Sequence, residues 1–565
     1  MLETQKSYLK FTKSTKEALG NCGIPTEKLH EIEEMILETE LIIPLVGSFS
    51  AGKSSLINTF LGVNYLPVGI TPETSLATEL RYGITERIEA VKKNESIDVY
   101  RIEEIDKIKD VAGNYKFLRV FLNNERIKSI EPLVLVDMPG FDSPLDLHNQ
   151  AIVNYLVKGV YYIVVVSVEQ GGITKSLMKR LYEIRSVERD FSIVLNKRDL
   201  RAESEAMEIA KNIEESLFEA FSEHKSVIVT SMFDNDGLQK ILKSIDPEKL
   251  FENIFCKKVK YVYFETIETI NTLIAGMKKS SEEIETAIAK MSKSIHSLQE
   301  NKEKIMSEIC SKYSHASVNN IIDAVASDLR ESVDELADAI IYRGQDEFIR
   351  LVNEIIRSRL ISELKELFSN VGKSIVEQIK LELYDVNSAI NLINSNSDWI
   401  ENLTAEVLYA VSNIGYIFAR KNRTVDSEDI ESAITKIIGT LFILTDKLPE
   451  IAETLIFLLS SIISKIAEKF QKESIRNAII TQVIPSIKRE LRKLLVDLID
   501  TQIKEMVKSV SDTFSEEIRK KIAELEAIET EKKNQIEDVK SKLNCYTDVK
   551  NKIQTLAEPL LFQGR

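Results

Sequence analysis

The chain is poor in cysteine, proline late in its length, and long apolar runs. The four cysteines, Cys22, Cys256, Cys310 and Cys545, stand far apart without metal-ligand spacing, which predicts reduced cytosolic thiols and neither a disulfide nor a zinc site. No uncharged stretch of about 18 apolar residues occurs, so any membrane contact is expected to be peripheral or re-entrant. The opening MLETQKSYLKFTKSTKEALG has no apolar core of the secretory kind, and no signal peptide is expected. The five histidines, His30, His148, His224, His296 and His315, form no ligand cluster and receive no catalytic role. Positive charge is in deficit: the net charge of −15 disfavours nucleic acid as a partner, and anionic lipid taken globally.

What is present divides the chain in two. Its 565 residues, 44% hydrophobic and 29% charged, exceed one compact core and fit a globular or helical protein of several units. Of 19 glycines, 13 precede residue 251, and no proline falls between Pro247 and Pro449, so a loop-rich first half gives way to helix. Short apolar runs at Leu41 to Val46, Leu118 to Leu122, Leu133 to Val136, Tyr162 to Ser167, Ser192 to Leu195 and Ser226 to Val229 alternate with amphipathic stretches. That alternation predicts an α/β head, a mostly parallel sheet with helices on both faces. Before it, one helix is expected at about Thr26 to Glu38, packing on the body.

Beyond residue 255 the apolar period becomes helical, predicting a long all-α body of bundle and coiled coil. Ile284, Ile288, Met291, Ile295 and Leu298 form a heptad stripe, broken at Lys302 and resumed at Ile305 and Ile309. Ile518, Ile522, Leu525, Ile536, Val539 and Leu543 repeat it with a break at Glu529 and Lys532. Matching lengths and polar breaks predict that the two stripes pair antiparallel within one chain. The expected units are 1–40, an N-terminal helix on the neck; 41–250, the head; 251–310, outgoing helices; 311–515, a distal bundle; and 516–565, the returning helix and tail.

The strongest local signal is Gly47-Ser48-Phe49-Ser50-Ala51-Gly52-Lys53-Ser54-Ser55, between an apolar strand and the helical run LINTFLG. A strand, a glycine-rich bend and a helix start aim backbone N–H groups at phosphate oxygens. Lys53 is expected to reach the β- and γ-phosphates and Ser54 to ligate Mg2+. LVLVDMPG ends a buried-type strand with Asp137, suited to a metal-bound water, and Gly140, suited to a γ-phosphate. SIVLNKRDL then delivers Asn196, Lys197 and Asp199 to a strand end. A carboxylate there accepts two hydrogen bonds from guanine and none from adenine, so Asp199 predicts GTP and GDP as ligands. Ser231, with Thr230, marks a final base-contacting loop.

Together GSFSAGKSS, LPVGITPET, DMPGFDS and NKRD resemble the GTPase head of the dynamin family, bacterial dynamin-like proteins in particular. The gap of roughly 60 residues between Thr74 and Asp137 is longer than small Ras-like GTPases need. The resemblance implies that Thr74 closes on magnesium and the attacking water, with Thr71 the alternative, and that Ser50 helps hold a monovalent cation, K+ or Na+. It assigns catalysis to Ser50, Lys53 and Thr74, and metal binding to Ser54, Thr74 and, through water, Asp137. Phe49 stands where eukaryotic dynamins keep a water-positioning glutamine, and none follows DMPG. Slow basal turnover and a head-to-head dimer are the consequence expected.

Two apolar runs, IIGTLFIL and IAETLIFLLSSIISKI, separated by TDKLPE, predict a helical hairpin at 437–466. By periodicity it is first the packed centre of a bundle; by resemblance it is a lipid-contacting tip presenting Leu441, Phe442, Leu455, Phe457 and Leu458. The basic groups Arg420 to Arg423, Lys488-Arg489 and Arg492-Lys493 suit anionic headgroups or solvated helix faces, and Trp399 an interface anchor or a packed side chain. The expectation is a cytoplasmic mechanochemical GTPase, peripheral at the inner face of a membrane and working with itself or with partner dynamin-like proteins. The alternative is a GTP-dependent scaffold switch with little hydrolysis and a protein-binding tip.

Overall fold

The computed structural model describes residues 1–48, 50–66, 76–92, 94–109, 111–140, 155, 158–186, 189–234, 237–395, 397–412, 472–534 and 536–562. Phe49, Thr71, Thr74, Arg420 to Arg423 and the hairpin at 437–466, with Leu441, Phe442, Leu455, Phe457 and Leu458, lie outside the described residues.

Two helices precede the sheet, where one was expected: α1 (Glu3–Gly20) and α2 (Glu27–Glu38). The first escapes a hydrophobic reading because lysines interrupt its stripe, yet Tyr8, Leu9, Phe11 and Leu19 are buried. Its start is capped from afar, since the Glu248 carboxylate accepts from the backbone N–H groups of Glu3 at 2.8 Å and Thr4 at 2.9 Å.

The head is a nine-stranded sheet in the order β4-β3-β5-β2-β6-β1-β7-β8-β9. Its strands are β1 (Leu41–Gly47), β2 (Thr78–Tyr82), β3 (Arg87–Lys92), β4 (Ile97–Tyr100), β5 (Tyr115–Leu122), β6 (Leu133–Asp137), β7 (Tyr161–Ser167), β8 (Asp190–Asn196) and β9 (Val227–Val229). Strand β1 lies between β6 and β7, parallel to both, and β7, β8 and β9 continue parallel. Only the β2–β6, β3–β4 and β3–β5 pairs are antiparallel. Because side chains alternate along a strand, β1 feeds two cores. Ile43 and Leu45 join Leu56, Ile57 and Phe60 of α3 (Lys53–Leu61), whereas Ile42 and Val46 join Leu181 of α4 (Lys175–Ser186) and Ile213 of α5 (Glu203–Phe221). Helices therefore cover both faces. Strands β2 and β3 carry charges at alternate positions and β4 is only four residues long, which hid them from a search for apolar runs.

The body begins with α6 (Pro247–Lys278), started by the Asp246 side chain, which accepts from two backbone N–H groups, and by a proline at the first turn. Lys279 and Ser280 are both extended, with ψ of 159°. Helix then resumes as α7 (Ser281–Glu331) behind a Ser280–Glu283 capping box. The described body continues with α8 (Gln345–Glu382), α9 (Tyr384–Ile393), α10 (Trp399–Ser412), α11 (Ile484–Asn534) and α12 (Ile536–Ala557). Helix α7 runs through residue 310 without a break.

Helices α7 and α11 pair antiparallel along their length, as Lys302–Asp512 at 2.7 Å, Ser314–Asp500 at 3.2 Å and Asp323–Lys488 at 2.6 Å fix. This register corrects the expected pairing of the two stripes. Residues 284–309 face about 505–530; Ile518 and Leu525 sit in that seam, while Leu543 belongs to α12, which packs beside α6. The polar break near Lys532 lies level with the 279–280 step, where the Lys532 ammonium donates to the Lys279 carbonyl.

The cysteine expectation also needs correction. Cys22, in the turn after α1, and Cys545, on α12, form a disulfide with Cα atoms 6.3 Å apart, 523 residues apart in sequence. Sequence spacing carries no sign of it, because the pair exists only once α1 and α2 dock on α6 and α12. Cysteine usage therefore ceases to argue for a reducing compartment. Cys256 and Cys310 are free thiols. Trp399 is packed, 7% exposed, with the Lys521 ammonium 5.9 Å from its ring. Lys488 pairs with Asp323, Arg492 with Asn319 and Lys493 with Glu490, along α7 and α11. Among the described residues no helix is long and apolar enough to cross a membrane.

Candidate nucleotide site

Four parallel strands end at one edge of the sheet, and three of them carry a predicted motif there, Gly47 on β1, Asp137 on β6 and Asn196 on β8, while β7 ends beside them at Ser167. The carboxyl edge of a parallel α/β sheet is where such folds bind ligands. The bend after β1 must be tight. A Cβ at Gly47 would run into the Val165 carbonyl, and one at Gly52, whose φ is 85°, would lie 2.5 Å from Asn196 Nδ2. Ser50 also adopts positive φ, 64°, and is exposed. Within the bend the Lys53 ammonium donates to the carbonyls of Gly47 at 3.1 Å and Ser48 at 3.0 Å. Lys53 is thus buried under the loop and satisfied by backbone. Helix α3 starts at Lys53, so Ser54 and Ser55 occupy its first turn, where unpaired N–H groups and the helix dipole favour anions.

The Ser54 hydroxyl donates to Asp137 Oδ2 at 2.6 Å, joining the two residues expected at magnesium. Asp137 is fully buried and its Oδ1 has no hydrogen-bond partner among the described residues. Burial pushes its carboxyl up to about 6, against smaller opposing effects of the Ser54 hydrogen bond and the Lys53 charge. A buried carboxylate oxygen left unmatched beside a serine hydroxyl is the donor set a hard, oxygen-seeking divalent cation needs. The residues fit Mg2+. Gly140 is buried three residues further on.

On the other side, Asn196 is buried and its amide donates to the Ala51 carbonyl at 2.9 Å, tying the base-recognition motif to the phosphate loop. Lys197 takes positive φ, 64°, turning the chain so that Arg198 N–H donates to the Thr230 carbonyl at 3.0 Å. Asp199 is exposed at this rim, while Ser231 is buried and its hydroxyl accepts from Phe233 N–H at 3.2 Å. The structure therefore gathers Gly47, Ser48, Ser50, Ala51, Gly52, Lys53, Ser54, Ser55, Asp137, Gly140, Asn196, Lys197, Asp199 and Ser231 along one edge.

Residues 43–199 match the Dynamin family. Over that segment the head is similar to the dynamin family. An uncharacterised protein from the xynA 3′ region of Caldicellulosiruptor sp. is 28% identical over 188 residues, 32% of this chain and 45% of that protein. Dynamin-like protein 2 of Campylobacter jejuni is 31% identical over 116 residues, 20% of this chain and 19% of its own. Dynamin of Drosophila melanogaster is 35% identical over 122 residues, 19% of this chain and 14% of its own. Matched segments thus span less than half the length of each relative. A solved structure of an oligomerised bacterial dynamin pair, described with long-range sensing and tethering of membranes, aligns over 96% of this chain and 95% of that one at 15% identity and a TM-score of 0.33.

Sequence reasoning missed one part of this head. The loop after β7 spans the site: Gln170 Nε2 donates to Ser48 Oγ at 2.6 Å, and the Lys197 ammonium pairs with Glu169. One short segment therefore touches both the phosphate loop and the base motif. The available signal was SVEQGG at the end of an apolar strand, where Gly171 takes a φ of 67°.

Proposed function

We propose that the chain is a GTPase: the head binds GTP and GDP with Mg2+ and hydrolyses GTP slowly as a monomer and faster as a face-to-face dimer. The observation that carries this reading is the Ser54–Asp137 hydrogen bond with Asp137 Oδ1 left unmatched, beside a phosphate loop joined through Asn196 to the guanine motif. Ser54, and Asp137 through a water, would hold Mg2+, which supplies charge neutralisation on the phosphates. The chain's own groups do the rest. The Lys53 ammonium leaves the Gly47 and Ser48 carbonyls and donates to phosphate instead, N–H groups of the bend and of α3 cradle the diphosphate, and Asp199 accepts from guanine. Thr74, with Thr71 the alternative, closes on the attacking water, and Ser50 supports a monovalent cation. With no glutamine at Phe49, a partner head completes water positioning.

The body is proposed to act as neck and trunk, carrying head movement to the hairpin at 437–466, which meets a membrane peripherally at its cytoplasmic face. Calorimetry of GDP binding by wild type and Asp199→Ala tests the nucleotide assignment: affinity should fall by about tenfold or more, the effect of leaving the guanine donors unmatched. Turnover should then rise with protein concentration and with K+ or Na+. Rapid turnover at concentrations too low for dimers would remove the dimer mechanism, and ATP competing equally with GTP would remove the guanine assignment. Liposome sedimentation with a charge placed at Phe457 or Leu458 tests the tip. Assembly that ignores both lipid and that charge would favour a scaffold switch.

A further inference from the structure

The nucleotide site leaves unused a buried polar chain on one face of the head sheet. Glu79 of β2 is 3% exposed and Tyr155 2%. The Tyr155 hydroxyl donates to Glu79 Oε1 at 2.7 Å, while Glu79 Oε2 accepts from Arg81 Nη2 at 2.7 Å, Arg81 Nε at 3.1 Å and Arg119 Nε at 3.4 Å. Arg81 in turn forks onto Glu40, the residue before β1, at 2.7 and 2.8 Å. Burial opposes the Arg81 charge, and Glu40 and Glu79 more than restore it. The Tyr155 phenol is held protonated, raised by burial and then by the Glu79 charge.

Packing fixes Tyr155 from other sides as well. Its ring meets Phe117 edge-on, with centroids 6.3 Å apart at 88°, the Lys158 ammonium lies 5.6 Å from its centre, and its carbonyl accepts from the Tyr162 hydroxyl at 2.6 Å. Stability alone gives little reason for the arrangement, since a buried ion cluster contributes no more than apolar side chains of the same volume. Its place in the chain gives a better one. Thr78 pairs with Asp137 and Glu79 with Val136 in the β2–β6 register, so the anchor on β2 stands one residue from the magnesium-side carboxylate. Gly140 and Tyr155 bound the 141–154 connection. One end of that connection continues from β6, and the other is tied to its neighbour β2.

We propose that Tyr155 is a positioning residue for GTP hydrolysis: its bond to Glu79 anchors the outgoing end of the connection and so keeps Gly140 in place for the γ-phosphate. The inference rests on the GTPase reading above. Tyr155 acts through Gly140 and not by contact with nucleotide. A tied end removes conformational freedom that the chain would otherwise lose on meeting the γ-phosphate. GDP has no γ-phosphate, so its binding gains nothing from the anchor.

The test compares the full chain with its Tyr155→Phe variant, which loses one hydroxyl and keeps the ring. Its kcat for GTP should fall roughly tenfold, with KM for GTP and affinity for GDP within about twofold of wild type. Glu79→Gln keeps an oxygen that accepts from the phenol, so its kcat should fall less than that of Tyr155→Phe even where its melting temperature falls more. A purely structural role would rank activity with melting temperature. If Tyr155→Phe does not fold, Tyr162→Phe, which removes the donor to the Tyr155 carbonyl, takes its place with the same expected split. Wild-type kcat in the folded variant, or kcat and GDP affinity lost together, would overturn the inference and leave the GTPase reading standing. A wild-type protein that hydrolyses no GTP would remove the proposed function and this inference with it.

Discussion

At the scale of single residues, Asp137 shows how a binding site opposes stability. Its carboxyl is raised from 3.8 to about 6 by burial. A raised acid favours the fold fully only below its ordinary value and loses that contribution as pH climbs through the folded one. At neutral pH without metal, the head therefore carries an ionised group that its surroundings resist. Asp137→Asn should raise the melting temperature of the metal-free protein at about pH 7.5, by an amount worth about 1–3 kcal/mol, and the gain should shrink towards about pH 5. The same substitution should abolish magnesium-dependent nucleotide affinity. Differential scanning calorimetry across pH, with magnesium titrations, measures both. The site's contiguous motifs were legible because strand, bend and helix follow one another in sequence, as Gly47 to Ser55 do. Gln170 was not, because it reaches Ser48 only through the pairing of β1 with β7.

At the scale of elements, the α7–α11 seam holds the trunk. Ile518 is fully buried in it, and an isolated charge there has no counter-ion. Ile518→Asp should destabilise the trunk by several kcal/mol, seen as an early loss of helical circular dichroism. Nucleotide binding by the head should survive, since the site lies wholly on the sheet edge. Heptad spacing revealed that two helices carry complementary stripes; it left the register open, because a stripe looks alike at every turn. Register came from polar contacts such as Lys302–Asp512 and Ser314–Asp500, which only the folded pair displays. Strand β3 was hidden for a related reason: near a sheet edge, alternate charged residues are compatible with pairing.

At the scale of the whole molecule, the Cys22–Cys545 bridge ties the first helical hairpin to the last long helix. A closure spanning 523 residues restrains the unfolded chain strongly, and such bridges stabilise by about 2–4 kcal/mol. Non-reducing peptide mapping should recover the linked pair, and Cys22→Ser should lower the melting temperature to that of the reduced wild type. If the two already coincide under oxidising conditions, the bridge contributes nothing. The division into head and body was readable from glycine and proline placement; the closing of the chain's two ends was not.

The step at 279–280 gives the molecule leverage. Helix α7 has 51 residues, about 76 Å of rise. A tilt of about 10° at that level would sweep its far end through roughly 13 Å, leaving each turn of the trunk beside the neighbour it already has.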